Sequence, residues 1–289
     1  MSTPAADKRS SVDEGVAVEV GAPAGRGTAA DEERYLVPGL ERGLKLLQLF
    51  DRDRTRIAAA EAARLLDVPR SSAFRLIQTL EHLGYLERSG NDYRLGPSVM
   101  RMGFEYVAAL PITALARPVV ERLRDESGCT AQLAIRDGRE VVYVMRELGP
   151  SHVSSNVAVG TRLPVHATVL GRMFLAHLGA TAIAALYTGA ALERFSAHTV
   201  TTIEGLQQQA LADRARGHAV SESDFEGGIS AIAAPVLDSH GSAVASLSVT
   251  LLAPSIGSTT ERDRLIGVVT GAALTLSHRL NYREDRAST

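Results

Sequence analysis

A series of short helical patterns followed by a hairpin pattern lies between residues 39 and 97 and leaves few folds open to this part of the chain. Three segments place apolar residues at helical spacing, and only Asp67, Val68 and Pro69 separate the second segment from the third. Proline suits the first turn of a helix, because the N–H group that it lacks has no partner there. Two short apolar segments around a polar turn follow, which is typical of a β-hairpin. The predicted helices are Gly39–Phe50, Ala58–Leu66 and Arg70–Leu83, and the predicted strands are Tyr85–Arg88 and Tyr93–Leu95.

Two helices joined by a short turn, with a hairpin behind them, predict a winged helix-turn-helix. In this motif the second helix lies in the major groove of double-stranded DNA, where its N-terminal side chains contact base edges. Arginine can bind guanine or a phosphate, and serine can contact either. The candidate DNA contacts are therefore the outward polar residues of this helix and three residues of the wing: Arg70, Ser71, Ser72, Arg75, Gln78, Arg88, Tyr93 and Arg94.

The charge distribution is compatible with this prediction but does not establish it. The whole chain has a formal net charge of −2, whereas residues 40–101 carry 11 basic and 8 acidic side chains. A basic segment within an acidic chain suits contact with phosphate. An excess of three charges is also ordinary for a solvated surface. The DNA-binding prediction therefore depends on the pattern of helices and not on the charge.

The composition and the pattern of apolar residues change three times along the chain. Residues 1–34 are rich in small, acidic and proline residues without any period, which predicts a disordered tail. A helix over residues 98–111 is predicted to link two domains, and its apolar stripe (Val99, Met102, Tyr106 and Ala109) suits pairing with a second copy. Helices and strands then alternate. The predicted domains are 35–97 for DNA binding and 112–283 for a second, α+β domain, followed by a tail at 284–289.

The second domain is predicted to contain five strands and five helices. A capping box at Thr201–Glu204 is expected to begin one of the helices, and Ser258 is expected to cap the last one. The predicted strands are Ala131–Arg136, Glu140–Arg146, Val153–Val159, Ile229–Leu237 and Ala243–Leu251, and the predicted helices are Ala114–Ser127, Thr168–Leu178, Thr181–Tyr187, 201–216 and 258–280.

Several classes of function lack their motifs in this sequence. A single cysteine, Cys129, excludes an intrachain disulfide and makes a cysteine-based zinc site unexpected. No Walker A loop, dinucleotide-binding glycine pattern, His-Glu-x-x-His helix or Gly-x-Ser-x-Gly elbow is present. No apolar segment has the length of a membrane-spanning helix, and no secretory signal is visible. We therefore predict a cytoplasmic protein without catalytic residues, cofactor, metal or membrane contact.

Several separated motifs resemble one known family. Residues 40–44, 65–86 and 93–96 resemble the DNA-binding half of the isocitrate lyase regulator (IclR) family. The segment Gly160–Thr168 with Gly171 and Arg172, together with residues 232–236 and 246–249, resembles its C-terminal half. The resemblance covers about residues 36–282. It implies a one-component transcription factor with a winged helix-turn-helix, a linker helix, a GAF-like α/β effector-binding domain and assembly into a homodimer or homotetramer.

The resemblance also implies an effector pocket. In the family, a small acid binds near the start of the helix that follows the Pro-x-His motif, and free backbone N–H groups there suit a carboxylate. His166 is expected either to bind the acid or to hold the turn. Ser246, Ser248 and Thr250 alternate along a predicted strand and therefore share one face. The implied effector-binding residues are His166, Thr168, Val169, Leu170, Ser221, Ala231, Ser246, Ser248 and Thr250.

The chain departs from the usual family pattern at several positions. Asp67 stands at the turn where the family usually has glycine, and aspartate tolerates the left-handed conformation. Phe74 replaces a common histidine in the recognition helix, and Arg172 replaces a common lysine. Ser221 and Ala231 replace a common aspartate and a common cysteine or serine, which implies a less acidic and roomier pocket.

The sequence thus predicts a sequence-specific regulator of a catabolic operon that responds to a small organic acid. Residues 37–43 most resemble the branch that senses aromatic acids such as hydroxybenzoates and protocatechuate. A short keto acid such as glyoxylate or pyruvate is the alternative effector. An enzyme with a DNA-binding appendage and a constitutive DNA-architectural dimer are alternative functions. An enzyme would need catalytic motifs, which the sequence lacks. An architectural dimer would bind DNA regardless of any metabolite.

Overall fold

The computed structural model describes residues 36–51, 53–150 and 157–283, which form two compact units that divide between Val99 and Met100. The predicted tails at 1–34 and 284–289 lie outside the described residues. We refer to the part before the division as the first unit and to the part after it as the second unit.

The first unit has the predicted helix-turn-helix followed by a hairpin. Its small core is formed by apolar side chains from every element, including Leu46, Ile77 and Leu86. Asp67 adopts φ 50°, so the turn between the two helices does use the left-handed conformation. The described elements are α1 (Pro38–Gln48), β1 (Ile57–Ala58), α2 (Ala59–Leu65), α3 (Arg70–His82), β2 (Leu86–Ser89) and β3 (Asp92–Leu95).

Two details of the first unit differ from the sequence-based expectation. The strand β1 was not predicted, because two residues are too short for a pattern; it pairs with β3, placing Ile57 opposite Tyr93. The hairpin turn has two residues, Gly90 and Asn91, instead of four. Gly90 has φ 69°, a conformation that glycine adopts without strain, and it allows the strands to pair up to Ser89 and Asp92.

The second unit is built on a six-stranded antiparallel sheet. Its strand order is β6-β5-β4-β9-β8-β7 in the labels used here. The elements are α4 (Ser98–Ala109, whose first two residues precede the division), α5 (Pro111–Ser127), β4 (Thr130–Asp137), β5 (Glu140–Glu147), β6 (Arg162–Pro164), α6 (Val169–Ala176), α7 (Ala180–Tyr187), α8 (Ile203–Arg216), β7 (Ala219–Glu222), β8 (Ser230–Leu237), β9 (Ala243–Leu251) and α9 (Thr259–Arg279).

Helices cover both faces of this sheet. On β8, Ile232 and Ala234 join a core with α5 and α9, whereas Ala233 joins a second core with α6, α7 and α8. Alternate residues of a strand point to opposite faces. The sheet therefore separates two apolar layers, as expected for the predicted α+β domain. The polar residues of β9 that alternate with Leu247 and Val249 face the α6 side.

Three expectations for the second unit need correction. Val157–Val159 forms no strand, and the rest of the predicted strand at 153–159 lies outside the described residues. The edge strands β6 and β7 were missed, since three or four residues leave little pattern. The helix α8 is capped by Thr202, which accepts from the N–H group of Gly205 at 3.1 Å, and not by the predicted box at Thr201–Glu204.

No single helix of the described residues is long and apolar enough to cross a membrane. The consecutive helices α4 and α5 reach the required length and composition only when taken together across a sharp bend.

Candidate nucleic-acid interface and effector pocket

The helix α3 presents a polar face that its own buried residues orient. Ala73 and Ile77 are buried in the core of the first unit, so the opposite side of the helix is directed outward. Of the predicted DNA contacts on this helix, Ser72 is half-buried and four are exposed: Arg70, Ser71, Arg75 and Gln78. The structure therefore brings these side chains together on one outward surface of the helix.

The three predicted wing residues have different surroundings. Tyr93 is only 4% exposed and packs in the core of the first unit, so its side chain is not available to DNA. The reason is register, because the strand β3 places Tyr93 opposite Ile57 on the covered face. Arg94 is exposed and ion-paired with Glu87, with hydrogen bonds of 3.0 and 2.8 Å. Arg88 is exposed and donates from Nε to the carbonyl oxygen of Gly90 at 3.1 Å.

A cavity of about 160 Å³ lies between α6 and the sheet of the second unit. Seven of the nine predicted effector-binding residues line it: Thr168, Val169, Leu170, Ser221, Ala231, Ser248 and Thr250. The other lining residues are Gln132, Tyr143, Val157, Thr161, Leu163, Phe225, Glu226 and Ile229. The only charged side chain among these residues belongs to Glu226, which is exposed. An anion in this cavity therefore depends on neutral hydrogen-bond donors.

The start of α6 supplies such donors. Thr168 is the N-cap: its hydroxyl accepts from the N–H group of Gly171 at 3.2 Å and donates to the carbonyl oxygen of Pro164 at 3.0 Å. The N–H groups of Val169 and Leu170 have no acceptor among the described residues, as is usual in the first turn of a helix. These two groups and the helix dipole favour a negative charge at this end of the cavity.

The floor of the cavity has a polar cluster that the sequence did not predict. Gln132 on β4 is 2% exposed, and its Oε1 atom accepts from Ser248 at 3.2 Å and from Thr250 at 3.1 Å. In the sequence, Gln132 stands out only as a single amide within an apolar strand. Such an amide could have indicated a polar cluster, because a buried polar group needs hydrogen-bond partners. The strand β9 supplies those partners, since it pairs with β4 and places Ser248 opposite Gln132.

Aromatic and aliphatic side chains form the remaining walls. Tyr143 is buried, and burial raises the pKa of its hydroxyl, which therefore stays protonated at neutral pH. The ring of Phe225 packs at a tilt against that of Phe195, with the ring centroids 4.9 Å apart, and Phe195 does not line the cavity. Tyr143 and Phe225 carried no functional signal in the sequence, because aromatic residues in a domain of this kind usually belong to the core.

Two predicted effector-binding residues do not line the cavity. His166 is directed away from it: its Nε2 atom lies 2.9 Å from the carbonyl oxygen of Glu193, and its ring packs against Tyr187 and Phe195. This arrangement corresponds to the expected alternative in which His166 holds the turn before α6. Ser246 donates to the carbonyl oxygen of Ala234 at 3.3 Å within the sheet.

A buried ion pair joins α6 to the elements that pack beside it. Arg172 donates to both carboxylate oxygens of Asp213 at 2.7 Å, and to the carbonyl oxygen of Val220 at 3.0 Å. Asp213 is fully buried and also accepts from Arg216. The pair thus joins α6 to α8 and to β7, the strand that carries the cavity residue Ser221.

The chain matches two family models with these features. Residues 39–90 match the IclR helix-turn-helix domain, and residues 104–278 match the bacterial transcriptional regulator IclR C-terminal domain. The second match alone covers more than half of the chain.

Known proteins resemble the chain over most of its length. The Pca regulon regulatory protein of Pseudomonas putida is 28% identical over 262 residues, 90% of each chain. The HTH-type transcriptional regulator XynR of Escherichia coli (strain K12) is 29% identical and covers 86% of this chain and 98% of its own. A solved IclR homologue from Microbacterium hydrocarbonoxydans, complexed with 4-hydroxybenzoate, is 27% identical with a TM-score of 0.72, and the match covers 84% of this chain and 99% of that one. The fold, the two family matches and these relatives agree: the chain belongs to the IclR family of bacterial transcriptional regulators, which are not enzymes.

Proposed function

We propose that this regulator controls a catabolic operon in the cytoplasm and that its effector is a single-ring aromatic carboxylate bound in the cavity beside α6. The observation that carries the proposal is a cavity lined by two sets of polar groups. The free N–H groups of Val169 and Leu170 lie at the start of α6, and the Gln132–Ser248–Thr250 cluster lies on the sheet that forms the floor.

The chemistry of the cavity suits both polar groups of such a ligand and its ring. The carboxylate accepts from the N–H groups at the start of α6, where the helix dipole also favours it. The ring packs against Tyr143, Leu163 and Phe225, and a ring hydroxyl bonds to the polar cluster around Gln132. A cavity of about 160 Å³ suits one ring, since an apolar protein cavity of about 150 Å³ can bind benzene.

The aromatic effector is favoured over a short keto acid. Glyoxylate or pyruvate would leave most of the apolar wall without a contact and has no ring hydroxyl for the polar cluster around Gln132. Two of the similar proteins support the same choice by their names, one as a Pca regulon regulator and one as a complex with 4-hydroxybenzoate.

Calorimetric titration tests the effector site. We expect 4-hydroxybenzoate and protocatechuate to bind the full-length protein and glyoxylate and pyruvate not to bind. Ala231→Phe fills the cavity and is expected to abolish binding while operator affinity is retained. Ser248→Ala removes a hydroxyl of the polar cluster and is expected to weaken binding by about 1 kcal/mol.

The matched control for this titration is Ser246→Ala. It also removes a hydroxyl from β9, but one that bonds within the sheet, so effector affinity should not change. Unchanged affinity in Ala231→Phe would place the effector elsewhere. Binding of the keto acids alone would contradict the aromatic assignment.

For DNA, the proposal is that α3 enters the major groove with Arg70, Ser71, Ser72, Arg75 and Gln78 toward the operator. Arg88 and Arg94 of the wing are proposed as weaker contacts, because each already bonds within the hairpin. Gln78 donates a hydrogen bond to Glu81. Apart from this bond, the proposed contacts on α3 form no hydrogen bond or ion pair with another side chain of the described residues. This face is therefore free to contact DNA.

Operator affinity is the test of this surface. If the arginine contacts a base, Arg70→Ala or Arg75→Ala is expected to weaken the free energy of operator binding by about 1–3 kcal/mol and to relax specificity at one base pair. If it contacts a phosphate, affinity for all sequences should fall alike. Arg122→Ala is the charge-matched control, because Arg122 is exposed on α5 of the second unit. If both α3 variants bind the operator as tightly as the wild type, the assignment of α3 is wrong.

For assembly, we propose that residues 98–111 act as a linker helix that pairs with a second copy, in a dimer or tetramer. No residue of α4 is buried, and Met100, Met102, Phe104 and Tyr106 are each more than half exposed. Met102 and Tyr106 lie on the predicted stripe, whereas Met100 and Phe104 lie on the opposite side of the helix. Large apolar side chains left exposed in this way mark an interaction site. Light scattering is expected to give at least the dimer mass at micromolar concentration, and a DNA-bound monomer would refute the proposal.

A further inference from the structure

We infer that Phe74 contacts the C5-methyl group of an operator thymine and thereby selects an A·T base pair at that position. This inference rests on the proposed role of α3 as the DNA-contacting helix. It adds to that role a specificity-determining contact that uses no hydrogen bond.

The observation behind the inference is an aromatic ring exposed in the middle of a polar surface. Phe74 is 51% exposed, although its neighbour Ala73 is fully buried. It is the only apolar side chain among the exposed residues of α3, the others being Arg70, Ser71, Arg75, Gln78, Thr79 and His82. Packing in the core of the first unit therefore does not explain why a phenylalanine stands at this position.

Helical spacing surrounds Phe74 with candidate DNA contacts. Ser71 precedes it by three residues and Gln78 follows it by four, so both are its neighbours on the helix surface. Phe74 is the fifth residue of α3 and thus lies in the N-terminal half, the part that meets base edges in this motif. A helix that places Arg75 and Ser71 against DNA brings the ring to the same groove.

Only one group in the major groove matches the chemistry of a phenyl ring. The C5-methyl group of thymine is the apolar feature of the base-pair edges there, and phenylalanine is among the side chains that contact it. Such a contact removes both the ring and the methyl group from water. It distinguishes thymine from cytosine, which lacks the methyl group.

The experiment removes the methyl group and changes nothing else. An operator is selected from random duplexes with the full-length protein, and each thymine is replaced singly by deoxyuridine. We expect one such replacement per bound half-site to weaken wild-type affinity about fourfold, the effect of exposing one buried methyl-sized group. The same replacement should leave the affinity of Phe74→Ala unchanged.

The control variant is Leu83→Ala. Leu83 is 55% exposed and apolar, but it follows α3 at its C-terminal end, away from the proposed base contacts. This variant should keep the wild-type deoxyuridine profile. Circular dichroism of Phe74→Ala should match that of the wild type, because no core side chain is removed.

Two results overturn the inference, and they differ from failure of the proposed function. Either no deoxyuridine weakens wild-type binding, or the effective one weakens Phe74→Ala equally, while Arg70→Ala or Arg75→Ala still loses operator affinity. If the wild type selects no operator, or if neither arginine variant loses affinity, the proposed DNA surface fails and the inference fails with it.

Discussion

Gly171→Ala is expected to destabilise the second unit by at least about 3 kcal/mol, at the upper end of the usual effect of overpacking. An added Cβ atom would lie 2.1 Å from the carbonyl oxygen of Val165 and 2.5 Å from its Cα atom. Both are backbone atoms of the turn before α6, so no side-chain rotation relieves the overlap. The turn or the helix must move, and the N–H groups that line the cavity move with it.

Hydrogen exchange is the suitable measurement, because it follows peptides of each unit separately. Protection in β4 and β9 should fall in Gly171→Ala, whereas protection in α3 should not. Gly267→Ala is the matched control, since Gly267 also lies inside a helix but its added Cβ meets nothing within 4 Å. That variant should be neutral or more stable by up to about 1 kcal/mol. Equal stability of the two variants would contradict the packing argument.

Asp213→Asn is expected to destabilise the second unit by about 3–5 kcal/mol, the usual effect of removing one partner of a buried ion pair. Asp213 is fully buried, and the Arg172 side chain is only 9% exposed. The variant keeps the shape of the side chain but leaves the Arg172 guanidinium without its closest counter-charge. The carboxylate of Asp224, at 3.7 Å, offers partial compensation.

An exposed ion pair provides the comparison for this variant. Arg162 pairs with Asp137 at 2.6 Å, but the two side chains are 43% and 67% exposed. Asp137→Asn should therefore change stability by no more than about 1 kcal/mol, because water screens the pair. Unfolding in urea, followed together with hydrogen exchange in α6 and α8, distinguishes the two cases. Similar losses in both variants would show that burial of the Arg172–Asp213 pair has no special effect.

The candidate effector site was only partly predictable from the sequence. Thr168, Val169 and Leu170, which the resemblance implied, do line the cavity, because a helix start with a threonine cap is a local feature. It also included His166, whose ring is directed to Glu193 instead. A residue adjacent to a site in the sequence can be directed away from it, since the direction depends on how the turn packs.

The DNA surface shows the same limit. Apolar spacing predicted the outward face of α3, because Ala73 and Ile77 at helical spacing define its buried side. The wing was less predictable: Tyr93 was expected at the DNA and is buried, since its side chain packs in the core of the first unit. There the unforeseen two-residue strand β1 places Ile57 beside it. Periodicity does not detect so short a strand.

Local chemistry made several elements predictable from the residues alone: the helices, the cap of α9 at Ser258, the longer strands and the turn at Asp67. Which polar groups meet depends instead on how the distant elements pack. Gln132 joins Ser248 across 116 positions, and Arg172 joins Asp213 across 41. Helix and turn propensities act over a few residues, whereas these contacts depend on strand register and on the packing of α6 and α8. Register and packing are properties of the whole folded domain, and the cavity formed by them could not be derived from any single segment.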